Sequence, residues 1–361
     1  MSKYKLTAEL QESVDNVMSS LVDNIIKLKM DEIVDYEFPL DEPFGLQIIH
    51  NDEIYCFMIR FSSTNKNFIC LGPAAHNREV LDKNGNIKKP PFFSRWSWYK
   101  HLEESTIAYA DPMMFHSDEI VITWFTGGEN HWQMEDVAAI IEKLAENQKV
   151  INENILFFGS SGGGFSSVML GTLIKGSKVL VNNAQFFVMN YGKQFVDRIF
   201  ELLEVEFNGL SREEIIEKYK YRIDALELFR REKYTPPITY YINSKAKIDI
   251  KLQLPPLADG YFDIYGVNPL KIILYEDSEI EKPHNPLPTD ETLDIIRLFC
   301  KNNMYNSGDE GDDGNIIPKG HFDDSIINDE LESKNREIAK LKSELESIKS
   351  SKSYRILNKF R

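Results

Sequence analysis

The stretch Ile155-Leu156-Phe157-Phe158-Gly159-Ser160-Ser161-Gly162-Gly163-Gly164-Phe165 decides how the rest of the chain is read. An apolar run of strand character ends in Gly-x-Ser-x-Gly, and a segment able to be helical, residues 166–174, follows at once. Strand, glycine-flanked serine and helix in that order make a nucleophile elbow, where Ser161 takes a strained backbone conformation at a sharp turn. The helix behind it aims N–H groups and a positive dipole end at any oxyanion that forms there. Gly159 and Gly163 leave room for the tight crossing, and Gly162 supplies one of those N–H groups. A glycine-rich strand, loop and helix also cradles phosphates. This one lacks the Gly-Lys-Ser/Thr ending of a P-loop and the Gly-x-Gly-x-x-Gly spacing.

Working outward, residues 6–30 space Leu10, Val14, Val17, Leu21, Ile25 and Ile26 along one helical face, so an amphipathic helix is expected over residues 1–30. Residues 45–49 and 53–61, joined by Asn51-Asp52, and then 67–71 read as strands. The last of these ends in Gly72-Pro73-Ala74-Ala75-His76, where a second oxyanion donor reaches an elbow serine; Gly72 and Ala74 are the candidates. Aromatic residues crowd around Arg95 between Phe92 and Tyr99, an arrangement that stacks a guanidinium or clamps an anion. Residues 119–125 read as a strand and 133–146 as a helix, followed after the elbow by a strand at 177–181. A helical insertion over about 185–236 is placed as a lid, strands resume at 237–242 and 270–275, and a helix opens near Thr289. Strands alternating with helices predict an α/β fold over residues 31–303: a mostly parallel sheet, doubly wound.

With 361 residues, 42% hydrophobic and 27% charged, the chain has length for one large core and appendages. A formal charge of −15 argues against general nucleic-acid binding, which needs a net basic face. Cys56, Cys70 and Cys300 lie in apolar runs at no metal-ligand spacing and read as small buried hydrophobes in a reducing compartment. No apolar run is long enough to span a bilayer and no secretory h-region is visible, so a cytoplasmic protein is expected.

Composition changes near the C-terminus. Residues 304–327 are acidic and glycine-bearing, as in a flexible linker. Over 328–361 Leu331, Ile338 and Leu345 occupy one heptad seam and Leu341 and Ile348 the other, which predicts a short coiled coil for self-association or a partner protein. The basic tip, residues 351–361, interleaves cations with Tyr354, Ile356, Leu357 and Phe360 and suits peripheral contact with an anionic membrane surface.

The elbow and the strand order around it resemble the α/β-hydrolase superfamily over about residues 44–302. That resemblance implies a serine hydrolase or acyltransferase with a Ser-acid-His triad in chain order, and no metal or organic cofactor. Carried onto this chain, Ser161 is the nucleophile and His284, between a late strand and the closing helix, is the histidine. His321, beyond the acidic linker, is the rival. Asp249 is the candidate acid, with Asp277 and Glu279 as alternatives. The coil and its Ser350-Ser351-Lys352-Ser353-Tyr354-Arg355-Ile356 tip are similar to tails on enzymes of bacterial surface-polysaccharide assembly. This second likeness implies a glycan-linked acyl group as substrate, while the basic tip suits a place at the inner face of the membrane. A non-catalytic, hydrolase-shaped scaffold in surface-glycan assembly or glycoprotein secretion is the alternative.

Overall fold

Apolar residues fill both faces of the strand that carries the serine. In β6 (Ile155–Ser161), Ile155 and Phe157 join one core cluster, while Leu156 and Phe158 join another. A strand buried on two sides belongs in the middle of a sheet covered by helices. The computed structural model describes residues 6–78, 85, 87–264, 267–277 and 280–304 and has that arrangement. The acidic linker from residue 305 on, the heptad segment, the basic tip, His321 and Glu279 lie outside the described residues.

The other strands are β1 (Ile25–Lys29), β2 (Phe44–His50), β3 (Glu53–Arg60), β4 (Phe68–Leu71), β5 (Ser105–Tyr109), β7 (Lys178–Ala184), β8 (Ile238–Asn243) and β9 (Leu270–Tyr275). They form one nine-stranded sheet in the order β1-β2-β3-β5-β4-β6-β7-β8-β9. β3 is antiparallel to β2 and β5, and the other pairings are parallel. The helices are α1 (Ala8–Ser19), α2 (Gln133–Gln148), α3 (Gly162–Leu173), α4 (Lys193–Glu206), α5 (Arg212–Tyr219), α6 (Ala225–Glu232), α7 (Leu254–Tyr261) and α8 (Thr289–Asn303). Val14 and Met18 of α1 and Leu293, Ile296 and Cys300 of α8 pack on one face of the sheet. Residues of α2, α3, α4 and α6, such as Ile141, Phe165, Ile199 and Phe229, pack on the other. No helix among the described residues is long and apolar enough to cross a membrane.

Two expectations change. The amphipathic spacing over residues 6–30 is not one helix: α1 ends at Ser19, and Ile25–Lys29 is β1, paired with β2. β-branched Ile25 and Ile26 satisfy the helical period by coincidence, and the free edge of β2 takes them as a strand. Residues 119–125 are not a strand either. Their backbone is held by the Asp111 carboxylate, which accepts from Thr123 Oγ1 at 2.6 Å and Phe125 N at 2.8 Å. Trp124 and Phe125 take φ of 51° and 54°, which no ladder allows. The sheet position belongs instead to β5.

The connection from β4 leads to β5 on one side, while that from β6 leads to β7 on the other. The carboxyl ends of β4 and β6 therefore flank a topological switch point, where an open α/β sheet leaves a crevice for ligands. α3 crosses β6 so closely there that a Cβ on Gly159 would lie 2.1 Å from the Gly163 carbonyl oxygen. Backbone cannot swing aside, so Gly159→Ala should cost about 3 kcal/mol. The check is a lower denaturant midpoint at unchanged m-value; an unshifted midpoint would mean a looser crossing.

Candidate active site

β6 delivers Ser161 to the switch point with φ 52° and ψ −126°, a conformation that costs an L-residue on the order of 1–3 kcal/mol. Two side chains hydrogen-bond with its hydroxyl. His284 Nε2 lies 2.9 Å from Ser161 Oγ, and Gln185 Nε2 donates to it at 3.1 Å. The Tyr191 ring stands beside that of His284, with centroids 6.2 Å apart; burial first, then the Asp249 charge, push the phenol's pKa up, and nearby Ser161 opposes that rise.

His284 sits between β9 and α8, and its Nδ1 is 2.7 Å from Asp249 Oδ2. Asp249 begins a π-helical turn (Asp249–Gln253) after β8, with its side chain only 1% exposed. Burial raises its carboxyl pKa, and the hydrogen bond and charge of His284 oppose that rise. With Asp249 on Nδ1, that nitrogen has no place for Asp277. The histidine loop is tied to the end of β7: Asn183 Nδ2 donates to the carbonyls of Asn285 and Pro283 at 2.9 and 3.2 Å. Leu287 N donates to Asn182 Oδ1 at 2.8 Å. Asn183 has φ 44°, a region asparagine tolerates better than most residues. On the lid side, Gln253 Oε1 accepts from Phe186 N and Phe187 N at 2.8 and 3.0 Å, anchoring the turn that carries Asp249.

The backbone donors divide differently from the sequence expectation. Gly162 opens α3, so its N–H has no carbonyl partner within the helix. Gly72 is not free to serve: its N–H donates to Phe158 O at 2.9 Å, because the β4–β6 ladder runs one residue further than Leu71. Ala74 N–H donates to Ser94 Oγ at 2.8 Å. Arg95 stacks on aromatic rings, and its buried Nη1 has no hydrogen-bond partner among the described residues. Its guanidinium lies 5.4 Å from the Trp98 ring and 5.5 Å from that of Phe158, and Nη2 donates to Ser160 Oγ at 2.5 Å. Burial pushes its pKa down to about 10, so it remains a cation at neutral pH. His76, upstream, stacks on Phe92 with ring centroids 3.6 Å apart.

No protein-family model and no curated protein sequence matches the chain. Solved structures do. The capsule O-acetyltransferase of Neisseria meningitidis serogroup A is similar with a TM-score of 0.51 at 14% identity, over 70% of this chain and 96% of that one. The same enzyme with caged gadolinium gives 0.50 at 15% identity, over 71% and 92%. The chain has the α/β-hydrolase fold. A carboxylesterase of Lactobacillus plantarum is also similar, with a TM-score of 0.46 at 7% identity over 72% of this chain and 96% of that one. In this α/β-hydrolase fold the serine ends a central strand, the carboxylate follows β8 and the histidine follows β9, in chain order. Gln185, Tyr191, Trp124 and Ser94 join the site without any sequence signal. The Asn182-Asn183 pair at the end of a predicted strand is the one local cue to the anchoring of the histidine loop.

Proposed function

We propose that this α/β-hydrolase-fold protein is a serine hydrolase or acyltransferase acting on an acyl ester. The observation that carries the reading is the run of two hydrogen bonds from Ser161 through His284 to buried Asp249, at 2.9 and 2.7 Å, on a serine held at positive φ. Ser161 Oγ attacks the acyl carbonyl while His284 Nε2 takes its proton. As the tetrahedral intermediate collapses, the acyl–oxygen bond breaks and His284 returns that proton to the departing alkoxide. The acyl-serine is then released to an incoming hydroxyl, with His284 again as the base. Asp249 accepts from Nδ1–H and fixes the tautomer that leaves Nε2 basic. Gly162 N–H, at the start of α3, stabilises the oxyanion.

Two features support a glycan-linked acyl group. The fold neighbour with a TM-score of 0.51 is a capsule O-acetyltransferase. The C-terminal tip resembles tails of surface-polysaccharide enzymes. A small cavity beside Gly162 favours a short acyl chain. It has about 20 Å³, walled by Pro73, Ala74, Phe92, Ile122 and Trp124, room for about one water-sized group. The kcat/KM for p-nitrophenyl acetate should exceed that for the butyrate by about 100-fold, the price of two surplus methylenes. Equal rates would remove this cavity as the acyl site.

A fluorophosphonate probe tests the central reading. It should modify the intact protein at Ser161, located by peptide mass, and spare Ser161→Ala. No adduct, under conditions that label a control serine hydrolase, would leave the non-catalytic scaffold.

A further inference from the structure

We infer that the side-chain amide of Gln185 is the second oxyanion donor of this site. The inference rests on the reading of Ser161 as nucleophile and concerns where the second N–H comes from. A tetrahedral oxyanion is ordinarily held by two donors, and Gly162 supplies one. The turn after β4, expected to supply the other, is committed elsewhere. Gly72 N–H belongs to Phe158 O, Pro73 has no N–H, Ala74 N–H is taken by Ser94 Oγ, and His76 N–H donates to Val121 O at 2.7 Å. Ala75 remains, and it is exposed to solvent.

Gln185 is fully buried, and both its main chain and side chain engage the nucleophile. Its backbone N–H donates to Ser161 O at 3.2 Å, and Nε2 donates to Ser161 Oγ at 3.1 Å. The orientation of the amide follows from its other partner. Trp124 Nε1 lies 2.5 Å from the far end of the amide, and an indole N–H only donates. The atom facing it is therefore Oε1, which turns Nε2 toward the serine. The same indole nitrogen lies 3.7 Å from where a Cβ on Gly162 would stand, so the tryptophan spans from the amide to the head of α3. When Oγ bonds to the acyl carbon, the carbonyl oxygen becomes an anion two bonds from Oγ. Nε2 passes from the neutral hydroxyl to that anion, a stronger acceptor, and is already desolvated and aimed.

Paired substrates test this: an ester and the thionoester with the same acyl and leaving groups, since sulfur accepts hydrogen bonds poorly. Gln185→Ala should slow the ester roughly 10²–10³-fold and the thionoester far less, so the ester-to-thionoester ratio collapses. Gln185→Met keeps the length of the side chain but carries no N–H or O–H donor, and should collapse the ratio too. Tyr191→Phe should leave it standing. A ratio unchanged in both Gln185 variants, with both substrates slowed alike, would mean that Gln185 only positions Ser161 and would overturn the inference. Collapse in Tyr191→Phe alone would assign the role to the phenol. Full ester turnover by Ser161→Ala would instead remove the nucleophile reading beneath it.

Discussion

Ser161→Ala and His284→Ala should each lower kcat on an activated ester by about 10⁶-fold, and the double variant should lower it no further. The two side chains act as one unit through the 2.9 Å contact between Oγ and Nε2. Without the imidazole the hydroxyl keeps its proton and is a poor nucleophile. Without the hydroxyl the imidazole has nothing to activate but water. Losses that multiplied would show the two groups working independently. Steady-state rates on p-nitrophenyl acetate for the three variants decide it. Should His321→Ala abolish turnover while His284→Ala does not, the base assigned here is the wrong one.

Asp249→Asn carries the next largest effect, about 10⁴-fold in kcat. An amide at 249 is close in shape to the carboxylate. It can instead donate an N–H to Nδ1, which stabilises the tautomer with the proton on Nε2, where Ser161 needs a base. The replacement also removes the negative charge that favours the imidazolium formed during attack. Asp277→Asn should leave kcat near the wild-type value, because Asp249 already occupies the bond to Nδ1 at 2.7 Å. Near-normal turnover by Asp249→Asn would sink the assignment. A lowered melting temperature in that variant would not account for such a loss, provided the assay is run well below the transition.

The legible parts of this molecule are those whose chemistry is local. Gly159 and Gly163 announce a crossing too tight for a Cβ, and the apolar run before them announces a strand buried on both faces. The order Ser161, Asp249, His284 matches where their loops fall at the ends of β6, β8 and β9. Harder to read were segments whose apolar pattern suits more than one backbone. Ile25 and Ile26 fit a helical stripe but pair with β2, and residues 119–125 have strand composition but are clasped by Asp111. In both cases a partner distant in sequence, invisible to a periodicity of two or 3.6, chose the conformation.

By itself, then, the amino-acid sequence determined the class of fold, the bend at 161 and which residue types are available for acyl chemistry, because glycine sterics and side-chain hydrophobicity act over a few neighbouring positions. Tertiary structure alone decided who hydrogen-bonds to whom. Ser161 and His284 are 123 positions apart, Trp124 reaches Gln185 across 61, and Gly72 loses its N–H to a strand neighbour. Such pairings are set when packed elements bring distant backbone together and each buried donor takes the nearest acceptor. No local rule carries that information.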